Sequence, residues 1–219
     1  MNKSILSSVA IVAIIAAAGG AWFMNRSPAS AQTSGAVEVV QFDVVEMTQG
    51  NPDSAVQVFE YASFTCPHCA DFHADQYPQI KANYIDTGLI GFSYREVYFD
   101  APGLWASMIA RCGGEMRFFG ISTLLYQKQQ DWVRGENGEE IITSLRNIGK
   151  IAGLTDADLD VCMSDEAKAQ ELTGWYRFNA DADDIQGTPT FLINGEKYSN
   201  MNYAEFAEVL DEKLAEVNE

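Results

Sequence analysis

Cys66-Pro67-His68-Cys69 is the stretch that decides the fold of this chain. It follows a strand-like run at residues 56–61 and begins a segment with helical spacing. Proline suits the first turn of a helix, because its missing N–H has no intrahelical partner there. The motif therefore predicts a strand, a turn and a helix with one cysteine at its start and another one turn later. Dithiol–disulfide chemistry requires this placement.

Two electrostatic effects at the start of this helix favour the thiolate form of Cys66. The positive end of the helix dipole lies there, together with backbone N–H groups that have no intrahelical acceptor. His68 adds a second positive charge when it is protonated. We therefore expect Cys66 to be the more exposed thiol, with a pKa below the free value of about 8.5. Cys69 is then the more buried, resolving partner.

A CxxC pair can also be half of a zinc site or an inert disulfide. Cys69 and His73 are one helical turn apart, so a metal site that also uses Cys66 stays open as an alternative. The sequence contains no second CxxC pair and no paired histidines to complete a tetrahedral set. The strand–helix context favours redox chemistry over a metal site, and we interpret His73 as a residue of the helix surface.

The first 31 residues have the composition of a bacterial secretory signal. A short basic start precedes an almost wholly apolar stretch at residues 5–24, and small residues after Pro28 end in an A-x-A pattern. The apolar stretch is also long enough for an uncleaved membrane anchor, although Pro28 and the small residues favour cleavage. Either outcome exports residues 32–219 to an oxidising compartment, which we expect to be the periplasm.

The exported part of the chain is acidic and has the length of one domain. Without residues 1–31 it keeps 12 basic and 31 acidic residues, a net charge of −19. Such a charge argues against nucleic acid and anionic lipid as partners and indicates a soluble protein. Residues 32–219 suffice for one well-packed domain and are too few for two.

Hydrophobic periodicity predicts the element order β-β-α-β, then a helical block, then β-β-α. The strands are expected at residues 37–45, 57–61, 89–94, 190–193 and 197–198, with Asn194-Gly195 as the turn between the last two. The helical regions are expected at residues 67–84 with a kink at Pro78, at about 102–184, and at 203–217.

This order and two segments resemble the DsbA family of periplasmic thiol–disulfide oxidoreductases. The first segment is Phe59-Glu60-Tyr61-Ala62-Ser63-Phe64-Thr65-Cys66-Pro67-His68-Cys69, and the second is Gly187-Thr188-Pro189-Thr190-Phe191. They are similar to the family's active-site segment and to its cis-proline loop. The resemblance implies an α/β thioredoxin fold, a central mixed sheet flanked by helices, with an inserted helical subdomain at about residues 102–184.

The resemblance also assigns roles to matching positions. It implies a cis peptide bond between Thr188 and Pro189, with the Thr188 backbone available to pair with an extended substrate segment. Glu60 lies in an apolar strand, where an ionised carboxylate is costly to bury. It either faces solvent, as the strand alternation permits, or is a buried acid beneath Cys69 that exchanges the proton of that thiol. The family has an acid at this position, which favours the second role.

The two remaining cysteines, Cys112 and Cys162, both lie in the helical block. Each belongs to an apolar helix face, so we expect both to point into the same small core. In an exported protein such a pair is more often bonded than free, and two buried free thiols are the alternative. We expect a buried structural disulfide that closes a loop of about fifty residues.

The function that follows is donation of the Cys66–Cys69 disulfide to reduced cysteines of newly exported, unfolded proteins. We expect a monomer whose cysteine pair is its whole redox apparatus, since no nicotinamide, flavin or metal motif is present. A quinone-linked membrane partner resembling DsbB would restore the disulfide. The alternatives are a reductase or isomerase on the same fold, for example one serving cytochrome maturation, and a non-catalytic metal-binding or chaperone-like module.

Overall fold

The computed structural model describes residues 41–217. The strands are Met47–Gly50 (β1), Gln57–Ala62 (β2), Gly91–Glu96 (β3), Thr190–Ile193 (β4) and Glu196–Ser199 (β5). The helices are Pro67–Asp75 (α1), Tyr77–Ile80 (α2), Ala101–Cys112 (α3), Glu115–Gln127 (α4), Gln129–Trp132 (α5), Gly138–Ile151 (α6), Asp156–Met163 (α7), Glu166–Ala182 (α8) and Tyr203–Glu216 (α9), with a π-helical turn at Lys81–Ile85. The predicted secretory signal lies outside the described residues. Within residues 41–217, every helix is too short or too polar to cross a membrane.

The five strands form one mixed sheet in the order β1-β3-β2-β4-β5. β2 and β3 are parallel, with Glu60 opposite Tyr94, and the other neighbouring strands are antiparallel. The β4–β5 turn has Asn194 at φ 49° and Gly195 at φ 84°, the left-handed geometry expected for an Asn-Gly hairpin. The structure confirms the predicted α/β thioredoxin fold, in which α3–α8 form a helical insertion between β3 and β4.

The predicted opening strand at residues 37–45 is wrong in its described part. Residues 41–46 form no strand, and β1 begins only at Met47. Side chains do alternate between exposed and partly buried positions here, as a strand pattern requires. The backbone, however, bonds to the helical insertion: Arg111 Nη1 donates to the Val45 carbonyl oxygen at 2.9 Å. The alternation of side-chain burial therefore arises from packing against helices of the insertion and not from pairing with another strand.

The helix predicted at residues 67–84 is interrupted where its proline indicated. α1 ends at Asp75, and α2 begins at Tyr77 with Pro78 in its first turn. Proline removes a backbone donor and disfavours the helical conformation of the residue before it. The interruption therefore divides the predicted helix into α1 and α2.

Two hydrophobic cores meet at α1. The first lies between the sheet and the insertion, and it contains both Cys66 and Cys69. The second lies between the sheet, α1, α2 and α9, and it contains Phe72. Its other fully buried members include Val58, Ile80, Ile90, Phe92, Phe191, Ile193, Phe206 and Leu210. Because α1 is packed on two sides, its cysteines have fixed positions relative to the sheet.

A buried ion pair joins the insertion to β3. Glu96 is 1% exposed and accepts hydrogen bonds from Arg111 Nε at 2.6 Å and Nη2 at 2.7 Å. Ser107 Oγ donates to the same carboxylate at 2.9 Å. A buried carboxylate left without its cation is strongly destabilising, so this pair fixes α3 against the sheet.

Candidate active site

α1 begins directly after the first cysteine of the motif. Cys66 is the N-cap residue, with extended backbone angles of φ −79° and ψ 120°, and Pro67 occupies the first turn. The Cys66 N–H donates to the Ser63 carbonyl oxygen at 3.1 Å, which closes the turn after β2. Gln129 Nε2, from the insertion, donates to the carbonyl oxygens of Phe64 and Cys66, each at 2.9 Å. The insertion therefore holds the turn that presents Cys66.

The two thiols of the motif are both reduced and differ in acidity. Cys66 is 9% exposed and Cys69 is fully buried. A hydrogen bond from the Cys69 thiol, together with the nearby Thr188 side chain, lowers the pKa of Cys66 to about 5, against the opposing effect of burial. Burial raises the pKa of Cys69 well above its usual range, and its hydrogen bond to Cys66 adds to this. At neutral pH Cys66 is therefore a thiolate and Cys69 a thiol.

The loop before β4 lies against the Cys66 sulfur. The Thr188–Pro189 peptide bond is cis, and the Thr188 carbonyl oxygen is 3.5 Å from Cys66 Sγ. Thr188 Oγ1 is buried, with no hydrogen bond of ordinary length to any residue between 41 and 217, and its hydroxyl lowers the pKa of both thiols. An open depression of about 600 Å³ lies beside this loop.

The side chain of His68 points to solvent. It is 75% exposed, with Nδ1 3.9 Å from a carboxylate oxygen of Asp71. The His68 group that takes part in lowering the pKa of Cys66 is its backbone N–H. Solvent screens the charge of an exposed imidazolium, so the predicted effect of the side chain is weaker than its place in the motif indicated.

Glu60 is fully buried, and its partner is a residue that the sequence interpretation assigned wrongly. His73 Nε2 lies 2.9 and 3.0 Å from the two carboxylate oxygens of Glu60, and the His73 side chain is only 5% exposed. The interpretation of His73 as helix surface is therefore wrong. Its position four residues after Cys69 puts both on one helix face, and that spacing was the available signal. Within residues 41–217, no group of three His, Cys, Asp or Glu side chains is arranged to hold a metal ion.

Three tyrosines surround the Glu60–His73 pair. The His73 ring stacks on Tyr126 with 4.3 Å between centroids, and it lies 4.7 Å from the ring of Tyr77 and 5.9 Å from that of Tyr94. The hydroxyls of Tyr94 and Tyr126 are hydrogen-bonded to each other. Burial raises the pKa of all three phenols above the usual range, so they stay neutral.

Cys112 and Cys162 form a disulfide between the end of α3 and α7. Their Cα atoms are 5.7 Å apart, and the residues are separated by 50 positions in the chain. Both are partly exposed, although an apolar helix face predicted burial. Each lies at or next to the end of its helix, where the apolar face reaches the protein surface. The bond lies beside a cavity of about 340 Å³, separate from the Cys66–Cys69 pair.

Comparisons with known sequences agree with this geometry. The family model described as Thioredoxin matches residues 43–212. A putative protein-disulfide oxidoreductase of Rickettsia bellii is 34% identical over 177 residues, which cover 80% of this chain and 67% of that protein. Its counterpart in Rickettsia felis is 32% identical over 175 residues, 80% of this chain and 62% of that protein. The match thus spans about two thirds or less of the length of these relatives.

Solved structures show the same architecture. Wolbachia pipientis alpha-DsbA1 superposes with a TM-score of 0.72 and 25% identity, covering 78% of this chain and 92% of that one. Oxidised BdbD from Bacillus subtilis superposes with a TM-score of 0.68 and 23% identity, covering 78% of this chain and 93% of that one. The second likeness concerns the fold alone.

Proposed function

This chain belongs to the DsbA-like protein-disulfide oxidoreductases of the thioredoxin fold, and we propose that it donates the Cys66–Cys69 disulfide to reduced cysteines of exported, unfolded proteins. The observation that carries the proposal is the asymmetry of the two thiols. The pKa of Cys66 is lowered to about 5, whereas burial raises that of Cys69. A stabilised thiolate favours the dithiol over the disulfide, which makes the disulfide a stronger oxidant.

The reaction has two exchange steps. A substrate thiolate attacks Cys66 Sγ, the Cys66–Cys69 bond breaks, and Cys69 leaves as a thiolate that takes up a proton. A mixed disulfide between substrate and Cys66 remains. A second substrate thiolate then attacks the substrate sulfur of this bond, which forms the substrate disulfide and releases Cys66. The low pKa of Cys66 makes it a good leaving group in this second step.

The cis-proline loop supports an extended, unfolded substrate. The backbone of Thr188 adjoins Cys66 Sγ, and the open depression beside it is lined by Gly187, Pro189 and Thr190. An extended segment that pairs with this backbone would bring its own cysteine to Cys66. A folded protein offers few free backbone segments, so unfolded chains fit this surface better.

The remaining parts of the proposal concern compartment and reoxidation. Residues 1–31 have the composition of an export signal, and disulfides persist in an oxidising space such as the periplasm. The dithiol left after each reaction needs an electron acceptor. We assign this role to a membrane quinone reductase resembling DsbB.

Oxidative folding of a reduced protein tests the function. Oxidised protein, mixed with reduced and unfolded ribonuclease without glutathione, should transfer one disulfide per molecule. Cys66→Ser should abolish the transfer, while the matched double variant Cys112→Ala/Cys162→Ala should retain it. Retained activity in Cys66→Ser would favour a chaperone-like module. Reduction of insulin disulfides without net oxidation would favour a reductase, and stoichiometric zinc or copper without disulfide transfer would favour a metal-binding module.

A further inference from the structure

Cys69 must exchange a proton in every reaction cycle, although solvent does not reach it directly. Its side chain is fully buried, and burial raises its pKa. When a substrate opens the disulfide, Cys69 leaves as a thiolate and needs a proton. When the disulfide forms again, the Cys69 thiol must lose that proton before its sulfur can attack. The protein therefore needs a path between this sulfur and water.

Polar groups below Cys69 offer the first part of such a path. The hydroxyls of Tyr94 and Tyr126 are bonded to each other, and both rings belong to the same core as Cys69. Glu60, and Cys69 when it is ionised, each raise the pKa of both phenols. The two hydroxyls thus lie within electrostatic reach of the sulfur and of the carboxylate. Glu60 in turn is bonded through both oxygens to His73 Nε2.

A cavity of about 380 Å³ completes the connection to solvent. His73 and Tyr126 line its inner part, and the exposed residues Pro78, Thr123 and Gln127 lie along its rim. This volume is enough for several water molecules. Because Nε2 of His73 is occupied by Glu60, its Nδ1 is the nitrogen left for water; no residue between 41 and 217 bonds to it. His73 therefore separates the buried carboxylate from the cavity.

We infer that His73, acting through Glu60, carries the proton that Cys69 exchanges with solvent through this cavity. During disulfide formation the proton of the Cys69 thiol passes to the Glu60 carboxylate, and the proton on Nδ1 of His73 passes to water in the cavity. One proton thus enters the Glu60–His73 pair and one leaves it, while the hydrogen bond between Nε2 and the carboxylate is kept. During substrate oxidation the same transfers run in reverse, and the Cys69 thiolate gains the proton. This inference rests on the proposed disulfide exchange and adds to it a residue outside the CxxC motif.

The other groups that face the pair do not themselves give up a proton to water. Tyr77, Tyr94 and Tyr126 remain neutral phenols, since burial raises the pKa of each. Lys81, which also lines the cavity, is paired with Asp86. Histidine is the side chain that ordinarily gains and loses a proton between about pH 5 and 8.

The test follows the reaction of the reduced protein with oxidised glutathione, in which two steps can be separated. Cys66 first forms a mixed disulfide with glutathione, and Cys69 then displaces the glutathione. Acid quenching and mass spectrometry measure both steps. We expect His73→Gln, which keeps a donor for Glu60, to leave the first step unchanged and to slow the second by about 100-fold. The rate of this slowed step should increase about tenfold per pH unit, because hydroxide must then remove the proton of the Cys69 thiol.

Two further variants separate proton transfer from packing. Tyr77→Phe alters the same aromatic surroundings and the wall of the cavity but keeps Glu60 and both nitrogens of His73 in place, and it should keep the wild-type pH profile. Glu60→Gln/His73→Gln removes both partners, so it leaves no unpaired charge in the core, and should slow the second step as much as His73→Gln does. If His73→Gln alone fails to fold, the rate of the second step is measured in this double variant instead.

Rescue by a small base gives a readout that a structural role would not produce. In His73→Ala, added imidazole should accelerate the second step, whereas thiazole, of similar size and much weaker basicity, should not. A second step in His73→Gln with the rate and pH profile of the wild type would overturn the inference. That result would leave the proposed function intact. The proposed function itself would fail if the wild-type protein formed no disulfide with glutathione.

Discussion

The sulfur of Cys66 lies 3.5 Å from the carbonyl oxygen of Thr188, so the acidic thiol and the backbone that would receive a substrate segment adjoin each other. The hydroxyl of the same threonine lowers the pKa of both thiols of the motif. Thr188, the residue before the cis-proline, thus contributes both to the acidity of the thiols and to the backbone that would pair with substrate. Its two contributions can be separated by substitution, because valine keeps the backbone and the side-chain shape.

Thr188→Val should raise the pKa of Cys66. A full hydrogen bond to a charged group contributes about 1.5–3 kcal/mol, or about one to two pKa units. The Thr188 hydroxyl makes no hydrogen bond of ordinary length, so its loss should raise the pKa of Cys66 by less than this. Thiolate absorbance followed against pH should give a midpoint near 5 in the wild type. Thr188→Ser keeps the hydroxyl and should stay near the wild-type midpoint. Identical midpoints in the valine and serine variants would contradict a role for this hydroxyl.

His68→Leu should also raise the pKa of Cys66, but by less than Thr188→Val does. The substitution removes an exposed imidazole and leaves the backbone N–H in place. Screening by solvent and salt weakens the effect of an exposed charge, so any change should shrink further at high salt. The same absorbance titration at low and high ionic strength measures it. A rise larger than that of Thr188→Val would show that the imidazole dominates the acidity.

The stability of the reduced protein, relative to the oxidised one, should increase between about pH 5 and 8. The folded pKa of Cys66 is about 5 and its unfolded value is about 8.5, so the unfolded state binds more protons in this interval. This stabilisation is lost as the pH falls through the folded pKa. Cys69, whose pKa is raised, remains a thiol in both states here. Denaturant unfolding of both redox forms tests this, and a pH-independent difference would refute the low pKa.

Removal of the Cys112–Cys162 disulfide should destabilise the protein without altering the active-site pair. The chain-entropy model gives about 4 kcal/mol for a loop of this length. The double variant Cys112→Ala/Cys162→Ala should therefore unfold at lower denaturant concentration. Thiol counting after mild reduction provides the second measurement: two thiols in denatured protein indicate a stable bond, and four would contradict its structural role.

Much of the fold could be predicted because its signals are local. Pro67 after a cysteine indicates a helix start, Asn194-Gly195 indicates a tight hairpin, and Pro78 indicates an interrupted helix. The strand expected at residues 37–45 failed because alternation reports one buried side and does not identify what covers it. Here the covering elements are helices of the insertion.

The buried pair beneath the motif shows what the sequence left undetermined. Glu60 and His73 are 13 positions apart, on a strand and on the helix that packs against it. The sequence indicated a polar residue at each position but not that the two face each other. The face of α1 that carries His73 is covered by Tyr126 of the insertion, and its burial depends on that packing. Long-range packing of this kind leaves no local pattern.

The equilibrium of the Cys66–Cys69 pair with glutathione tests the central claim most directly. Because the Cys66 thiolate is stabilised in the dithiol form, we predict a reduction potential less negative than about −200 mV, outside the range of about −200 to −230 mV typical of glutaredoxins. A value near −270 mV, about that of thioredoxin, would identify a reductant and contradict the account.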